Sequence, residues 1–194
     1  MSLIGLTGPG GSGKDVIASY LVKNQGFKRV AFADKLKELA YELNPEIPEL
    51  YDDLQGVVDN CGWDQGKELS PFNTLNSERY PVREYLQTLG VSMRTVFGED
   101  FWIDQVGYLV EGHWLESNKN VVITDVRFPN ELKYVQKTMA GEVWRVTGRS
   151  RASVVHSTHV SEQKLEGVDV QISNTAGFDY LYDQVEDALK TLGI

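Results

Sequence analysis

The residues with the clearest chemical signature lie in a glycine-rich turn near the amino terminus. The spacing Gly8-x-x-x-x-Gly13-Lys14 is typical of a loop that wraps phosphate groups, because glycines let successive backbone N–H groups approach one anion without Cβ clashes. A helix that begins near Gly13 directs its positive end at the same spot, and Lys14 is long enough to reach the outer phosphates. We therefore predict a phosphate-binding loop over residues 8–15.

Position 15 departs from the usual pattern of such a loop. A Ser or Thr whose hydroxyl ligates Mg²⁺ normally follows the lysine, whereas this chain has Asp15. The Asp15 carboxylate can ligate a metal directly or through a water, or it can act as a favourable negative charge in the first turn of the helix. Both roles stay open, as does the alternative that the whole turn is a tight surface loop.

A second acidic group follows a second apolar strand. Residues 121–124 (VVIT) are the clearest central strand after the first, and this strand ends at Asp125. In phosphate-loop sites such an Asp places its carboxylate beside Mg²⁺ or its water shell, across from the glycine loop. Arg127 follows two residues later and can point toward the same crevice.

Further charged residues border the predicted site. Asp34 and Lys37 lie just beyond a strand predicted over 29–32, at the carboxyl end where α/β sheets bind ligands. Asp34 also suits the N-cap of the next helix, so capping and substrate contact both stay open. Arg83 and Arg94 project from helical segments beside residues 44–80, and for either one alone a surface position is the simpler interpretation.

The stretch 148–162 is polar and locally basic in an acidic protein. It carries Arg149, Arg151, His156 and His159. A solvated loop is one interpretation, but a mobile cover that brings guanidinium groups onto transferring phosphates explains the positive charge better. The histidines lack a cysteine or carboxylate set with metal-ligand spacing, so we predict no zinc site.

Strands alternate with helices along the chain. We predict strands at 3–7, 29–32, 121–124, 142–147 and 168–172, with helices that begin near residues 13, 33, 82, 100, 131 and 178. Pro129 suits a first helical position, and Gly26, Gly98 and Gly141 suit helix ends. This order predicts an α/β fold: a five-stranded parallel sheet flanked by helices, with right-handed crossovers.

One region interrupts this alternation. Residues 44–80 show no single hydrophobic period and contain three of the six prolines. We expect short helical pieces and loops that do not belong to the sheet, inserted into a single domain over 1–194. Because a long irregular segment in a compact domain is usually functional, we predict a substrate cover.

Composition narrows the functional classes. The 194 residues suit one α/β domain, and 41% hydrophobic residues support a folded core. The net charge of −9 argues against a protein that coats nucleic acid, but not against an anionic small molecule held by a few local cations. The single cysteine, Cys61, excludes an intramolecular disulfide. With no long apolar run and no basic leader, we expect a cytoplasmic protein without membrane contact.

Several segments together resemble the deoxynucleoside monophosphate kinases of tailed bacteriophages. The phosphate loop with its final Asp15 is similar to theirs, as are residues 32–37 (FADKLK) and 86–90 (LQTLG), with Arg94 and Trp102. The match continues through residues 125–131 (DVRFPNE), 159–162 (HVSE) and 172–174 (ISN). It spans most of the chain but is poor from 44 to 79.

The resemblance implies a P-loop kinase fold in which 44–80 is the monophosphate-binding region and 148–164 is a lid. It implies that ATP and Mg²⁺ serve the reaction and that partners are small-molecule nucleotides, with a homodimer left open. Nucleotide contacts are then implied for Gly8, Gly10, Gly11, Ser12, Gly13, Lys14, Asp15, Val16, Asn174 and Gly177. The resemblance further implies acceptor contacts at Asp34, Lys37, Arg83, Arg94 and Trp102, catalytic roles for Lys14, Arg127, Arg149 and Arg151, and metal contacts at Asp15 and Asp125.

Two other functions remain as alternatives. One is a kinase for another small molecule on the same scaffold, of the dephospho-coenzyme A or phosphomevalonate type; the latter shares the Gly-Lys-Asp sequence. The other is a non-catalytic nucleotide switch, which needs only the loop and Asp125. Arginine-bearing segments on two sides of the crevice disfavour the switch.

Overall fold

The computed structural model describes residues 2–70, 80–117, 119–148 and 164–194, apart from the side chains of residues 114–117. The chain divides into two compact units, one made of Met1–Phe32 with Ile103–Ile194 and the other of Ala33–Trp102. The strands are β1 (Leu3–Thr7), β2 (Lys28–Val30), β3 (Glu46–Ile47), β4 (Asp52–Asp53), β5 (Val121–Ile123), β6 (Glu142–Gly148) and β7 (Val170–Asn174). The α-helices are α1 (Lys14–Gln25), α2 (Phe32–Leu43), α3 (Leu54–Gly66), α4 (Pro81–Phe97), α5 (Phe101–Ser117), α6 (Pro129–Lys133) and α7 (Phe178–Thr191).

The first unit is built on a five-stranded parallel sheet. Its strand order is β2-β5-β1-β6-β7, and every neighbouring pair is parallel, as the alternation of strands and helices predicts. All five residues of β1 are buried, because β1 lies in the middle of the sheet and is covered on both faces. The α/β fold and the strand count are therefore confirmed.

The two faces of this sheet are packed differently. One face forms a core with α1 and α7, built from Ile4, Leu6, Ile17, Leu21, Trp144, Val146, Ile172, Leu181 and Val185. On the other face Gly5 meets Val126, Val135 and Val143, and a Cβ at Gly5 would lie 2.8 Å from the Val126 side chain. The absence of a side chain at Gly5 lets the segment after α6 pack closely on β1.

The second unit holds the irregular region. Strands β3 and β4 pair only with each other in this structure's described residues, and a 3₁₀ turn at Pro48–Leu50 lies between them. Its core combines residues from α2, α3 and α4 with one from β3: Ala40, Ile47, Leu54, Val57, Val82 and Leu86. Helix α3 is kinked at Gly62 (φ 75°). The expectation that this region lies outside the main sheet holds for its described part, whereas residues 71–79 are outside the described residues.

Several predicted boundaries are wrong by a few residues. Strand β2 stops at Val30 and α2 begins at Phe32, so Asp34 lies inside the helix and is not its N-cap. Strand β7 runs from Val170 to Asn174, later than predicted, because pairing with β6 in register fixes its ends.

Other boundaries agree with the sequence. Pro129 is the first residue of α6, although the helix changes to a π-helix at Tyr134–Thr138 before Gly141. Helix α4 ends before Gly98, and Gly26 terminates α1 with φ 69°. Among the described residues, no helix combines the length and the apolar content that crossing a bilayer requires.

Candidate active site

The glycine-rich turn leaves β1 at Gly8 and enters α1 at Lys14. Gly8 has φ 137°, and a Cβ there would lie 2.2 Å from the carbonyl oxygen of Val146 in β6. Gly13 has φ 108°, and its Cβ would lie 2.5 Å from Nδ2 of Asn174 in β7. Both positions therefore require glycine, because the backbone is in the left-handed region and neighbouring strands lie against it.

The Lys14 side chain folds back into this turn. Its Nζ donates hydrogen bonds to the carbonyl oxygens of Gly8 (2.7 Å) and Pro9 (2.8 Å). The ammonium group is thus held within the loop itself, among the backbone groups that the spacing predicts to surround an anion. A phosphate bound here would meet a positive charge that is already in place.

Ser12 lies at the base of the turn and is fully buried. Its Oγ has no hydrogen-bond partner among the described residues. An unsatisfied buried hydroxyl costs about 1–3 kcal/mol, so its presence requires an explanation, and hydrogen bonding to a ligand is one. Together with the Lys14 ammonium and the two glycine positions, this donor set fits a phosphate chain. Gly10 and Gly11 are exposed on the rim of the turn.

Asn174 ties the turn to the last strand of the sheet. Its Nδ2 donates to the Ser12 carbonyl oxygen at 3.0 Å. The resemblance implies a contact between Asn174 and the nucleotide, whereas this hydrogen bond gives the side chain an additional role, because it fixes the backbone of the phosphate loop. Gly177, with φ 103°, precedes α7 and is exposed.

Asp125 follows β5, the strand next to β1. It is 9% exposed, and its Oδ1 accepts a hydrogen bond from the backbone N–H of Phe32 at 2.9 Å. The hydrogen bond holds this carboxylate at the carboxyl end of the sheet, which is where the sequence predicts it. Asp15, by contrast, is exposed in the first turn of α1, which is favourable for a negative charge at that end of a helix.

Within the described residues, no three His, Cys, Asp or Glu side chains are grouped to hold a metal by themselves. Mg²⁺ in phosphoryl-transfer sites is commonly bound by one or two carboxylates together with phosphate oxygens and waters, so this donor set is compatible with such an ion. The metal contacts of Asp15 and Asp125 stay predictions.

Arg127 is exposed, and its backbone is held by a buried acid. The Glu131 carboxylate, 2% exposed, accepts from the backbone N–H groups of Arg127 (2.7 Å) and Phe128 (3.0 Å). Glu131 thus fixes the segment that follows Asp125. Sequence reasoning did not single out Glu131; its position three residues after Phe128, at the start of α6, is the signal that would have identified it.

A groove about 470 Å³ in volume runs along α1 beside the phosphate loop. Three aromatic rings form its wall. Tyr20 and Phe178 both stack on Tyr182, with distances between ring centres of 4.5 Å and 6.2 Å, respectively. Phe178 is 60% exposed. A hydrogen bond from Tyr20 to the Glu186 carboxylate raises the pKa of the Tyr20 hydroxyl. The remaining lining comes from Asp15, Val16, Ser19, Lys23 and Asn24.

The second unit contains a groove of about 340 Å³ of its own. It is lined by Asp34, Lys37, Glu38, Tyr41 and Glu42 of α2 and by Trp63 of α3. The Lys37 ammonium lies 5.9 Å from the centre of the Trp63 ring. The structure thus brings two of the five predicted acceptor residues, Asp34 and Lys37, into one groove.

The other predicted acceptor residues lie outside this groove. Arg83 pairs with Glu68 and lies 5.6 Å from the Tyr80 ring centre. Arg94 is in the last turn of α4. Trp102 is buried, and its indole N–H donates to the Gly90 carbonyl at 3.0 Å, so the structure gives it a packing role and its contact with a substrate stays a prediction.

Three further arginines complete the account of the predicted site. The predicted lid arginines, Arg149 and Arg151, lie outside the described residues. Arg145 was not identified as a site residue from the sequence. Its side chain is only 6% exposed and lies in β6, the strand beside the phosphate loop. A charged residue inside an apolar strand, as in 143–146 (VWRV), is the sequence signal that could have identified it.

Comparison with known proteins supports the assignment of this chain as a kinase. A family model described as deoxynucleotide monophosphate kinase matches residues 49–185. A protein of Acanthamoeba polyphaga mimivirus, provisionally described as a deoxynucleotide monophosphate kinase, is 29% identical to this chain in an alignment 194 residues long. The alignment covers 95% of this chain and 94% of that protein.

Solved structures with a similar course of the chain are more distant in sequence. Dephospho-CoA kinase from Campylobacter jejuni is 16% identical, with a TM-score of 0.49 and coverage of 97% of this chain and 96% of that one. Shikimate kinase from Bacteroides thetaiotaomicron is 7% identical, with a TM-score of 0.41 and coverage of 100% and 99%.

Proposed function

The chain belongs to the deoxynucleotide monophosphate kinase family, and from this premise we propose that it transfers the γ-phosphoryl group of ATP to a deoxynucleoside monophosphate. An oxygen of the acceptor phosphate forms a bond to the γ-phosphorus, and the bond from that phosphorus to the β–γ bridging oxygen breaks. ADP leaves with the bonding electron pair, and the product is the deoxynucleoside diphosphate. The acceptor is already an anion, so the reaction needs no strong general base.

The observation that carries this proposal is the geometry of the phosphate loop. Lys14 holds its ammonium group within the turn, Ser12 offers a buried hydroxyl without a partner among the described residues, and Gly8 and Gly13 are positions that accept no side chain. Phosphoryl transfer depends mainly on alignment and on positive charge around the phosphates. We propose that Lys14 exchanges its two carbonyl partners for phosphate oxygens when ATP binds.

The aromatic groove along α1 is proposed to receive the base of ATP. Exposed Phe178 and the Tyr20–Tyr182 pair offer ring faces on which a flat base can stack. Val16 and Asp15, which follow Lys14 in the chain, also line this groove, so it begins directly beside the phosphate loop. At this side of the site, Asn174 fixes the loop and Gly177 starts α7.

The groove on α2 is proposed to bind the acceptor nucleotide. Lys37 supplies a positive charge, and the flat Trp63 ring offers a stacking surface. Asp34 is proposed to accept a hydrogen bond from the acceptor. A set of arginines is proposed to add positive charge, with Arg83 and Arg94 serving the acceptor phosphate and Arg127, Arg149 and Arg151 the transferring group.

A Mg²⁺ ion bound with the phosphates would supply positive charge that neutralises the β- and γ-oxygens. Asp125, fixed by the Phe32 N–H, is the carboxylate proposed to hold it, with Asp15 as the second candidate. We propose that the partners are free nucleotides and not nucleic acid or membrane, in keeping with the net charge of −9. The cytoplasmic location and a homodimer stay predictions.

A coupled assay of ADP release tests this function. ATP and Mg²⁺ are supplied with dAMP, dGMP, dCMP or dTMP, and in parallel with dephospho-coenzyme A or phosphomevalonate. We expect turnover with at least one deoxynucleotide. Turnover with only the last two compounds would show that the acceptor is wrongly assigned, and ATP binding without acceptor-dependent ADP release would favour a switch.

A further inference from the structure

Arg145 occupies an unusual position for a charged residue. It lies in the middle of β6, is 6% exposed, and is flanked along the strand by Trp144 and Val146, which are fully buried. Arginine keeps its proton at any physiological pH, so the guanidinium group cannot escape burial by becoming neutral. A buried ion is strongly unfavourable unless an opposite charge or a set of hydrogen bonds compensates it.

The sheet defines the direction of the Arg145 side chain. Trp144 and Val146 face the core with α1 and α7, whereas Val143 faces Gly5, Val126 and Val135 on the other side. Because side chains alternate along a strand, Arg145 shares the face of Val143. Its neighbours in register are Thr7 of β1 and Gln171 of β7.

This position is directly beside the phosphate loop. Thr7, the register neighbour of Arg145, is buried and is followed at once by Gly8. Strand β6 lies against the loop, since a Cβ on Gly8 would be 2.2 Å from the Val146 carbonyl oxygen. The Arg145 side chain therefore starts one strand away from the turn that holds the Lys14 ammonium.

Among the described residues, no acidic side chain compensates the positive charge of Arg145. Nη2 of Arg145 is buried without a hydrogen-bond partner, and no described carboxylate forms an ion pair with this side chain. An acidic group would be the expected neighbour if the arginine served only the fold. The described residues instead leave a buried cation with a donor nitrogen that no described acceptor uses.

We propose that Arg145 binds a phosphate group of a nucleotide from within the sheet. The planar guanidinium can donate two parallel hydrogen bonds to phosphate oxygens, and the buried position strengthens them. This inference rests on the proposed function, in which the phosphate loop beside Arg145 receives a triphosphate and the γ-phosphoryl group passes from it to a monophosphate. Either nucleotide can supply the phosphate, and the experiment separates them.

The test uses Arg145→Met, with Gln171→Met as the matched control. Gln171 is the exposed register neighbour of Arg145 on β7, so the control makes a polar-to-Met change at the same level of the sheet. Isothermal titration calorimetry measures binding of ATP, of inorganic tripolyphosphate and of the accepted deoxynucleoside monophosphate. Thermal unfolding without ligand measures the stability of each variant.

We expect Arg145→Met to weaken binding about 10- to 100-fold, the loss of a charge-assisted contact of roughly 1.5–3 kcal/mol. The unliganded variant should melt at the same temperature as the wild type or higher, because an uncompensated buried charge is gone. If Arg145→Met loses affinity for ATP and tripolyphosphate, Arg145 contacts the phosphates of ATP. If it loses affinity for the monophosphate alone, Arg145 contacts the nucleotide that accepts the phosphoryl group. Arg145→Lys should recover part of the affinity, and Gln171→Met should change neither quantity.

The opposite pattern would overturn the inference. If Arg145→Met fails to fold, or melts lower while it binds all three ligands as the wild type does, the guanidinium is compensated within the protein and serves stability. Failure of the proposed function alone would give a different result. The wild type would bind tripolyphosphate and Arg145→Met would weaken this binding, yet the wild type would phosphorylate no deoxynucleotide. A wild type that binds none of the ligands would contradict both.

Discussion

Lys14 and Ser12 form the chemical centre of the phosphate loop. The Lys14 ammonium donates to the carbonyl oxygens of Gly8 and Pro9 in its own turn, which are neutral partners. Exchange of neutral carbonyls for charged phosphate oxygens strengthens each hydrogen bond. The loop is therefore preorganised for an anion before any ligand arrives, which lowers the cost of binding and of alignment.

This arrangement predicts that Lys14→Ala lowers kcat at least 100-fold, since one preorganised donor in a transition state contributes roughly 2.7–4 kcal/mol. The unfolding temperature should change little, because Lys14 is half-buried and packs no core. Lys190→Ala is the control: Lys190 is an exposed residue of α7 paired with Asp187. Steady-state kinetics and thermal unfolding check both variants, and near-normal kcat in Lys14→Ala would remove the loop from catalysis.

The elements that hold the loop explain why its glycines are needed. Gly8 lies against β6 and Gly13 lies against the Asn174 side chain at the end of β7, so two strands define the shape of the turn. Sequence spacing predicted the loop itself, because the motif is local. It did not predict which strands enclose the loop, since that depends on the order β1-β6-β7, which residues far apart in the chain create.

Two glycine variants separate backbone strain from steric contact. Gly8 and Gly26 both have positive φ, but a Cβ on Gly8 would meet the Val146 backbone, whereas nothing lies within 4 Å of a Cβ on Gly26. Gly26→Ala should lower the free energy of unfolding by about 1–2 kcal/mol, the cost of a left-handed residue. Gly8→Ala should lower it by more than about 3 kcal/mol. Denaturant unfolding measures both, and equal losses would show that β6 does not constrain the loop.

Tyr134 reports on the burial of the segment that follows α6. It begins the π-helix, is 8% exposed, and its hydroxyl has no hydrogen-bond partner among the described residues. Burial, with a smaller contribution from the Glu111 charge, raises the pKa of Tyr134 from 10.0 to about 12. Between these pH values the unfolded chain has lost the proton while the folded chain keeps it, so stability falls as pH rises through this window.

We therefore predict that Tyr134→Phe is at least as stable as the wild type at pH 7 and loses less stability between about pH 10 and 12. Removing an unpartnered buried hydroxyl is neutral or favourable, and the variant has no group to ionise there. Tyr108→Phe, which changes an 82% exposed ring of α5, should follow the wild-type profile. The test measures the unfolding midpoint of each variant from pH 7 to about pH 12. If the midpoints of the wild type and Tyr134→Phe fall in parallel over this range, the Tyr134 hydroxyl is not buried.

For the molecule as a whole, the sequence predicted the α/β class, five parallel strands and the family. These follow from apolar strand patterns and from motifs such as 125–131 (DVRFPNE), which need no knowledge of distant contacts. The sequence predicted an inserted region over 44–80, but not that α2 and α4, which flank this region, share one core with α3, because that core depends on contacts between distant residues. A helix cap was one of two roles predicted for Asp34, and it is wrong because β2 ends earlier than predicted, at a residue set by its pairing with β5.

The chain also shows how an acidic protein can present cations to anions. Its net charge is −9, yet Lys14 lies in the phosphate loop and Arg145 is in register with Thr7, the residue before that loop. In the second unit, Lys37 lines a groove. Local placement of a few cations, and not the overall charge, decides where phosphates bind. The sequence predicted Lys14 and Lys37 from motif and position, whereas Arg145 was identified from its burial in the structure.

Direct transfer of the γ-phosphoryl group from ATP to a deoxynucleoside monophosphate is the property on which the proposed roles of all these residues depend. The most direct measurement supplies ATP labelled with ³²P at the γ-position, Mg²⁺ and the accepted deoxynucleotide, and separates the products by chromatography. We predict label in the β-phosphate of the deoxynucleoside diphosphate, and far less of it there in Lys14→Ala. Label found only in inorganic phosphate, whatever deoxynucleotide is added, would contradict direct transfer.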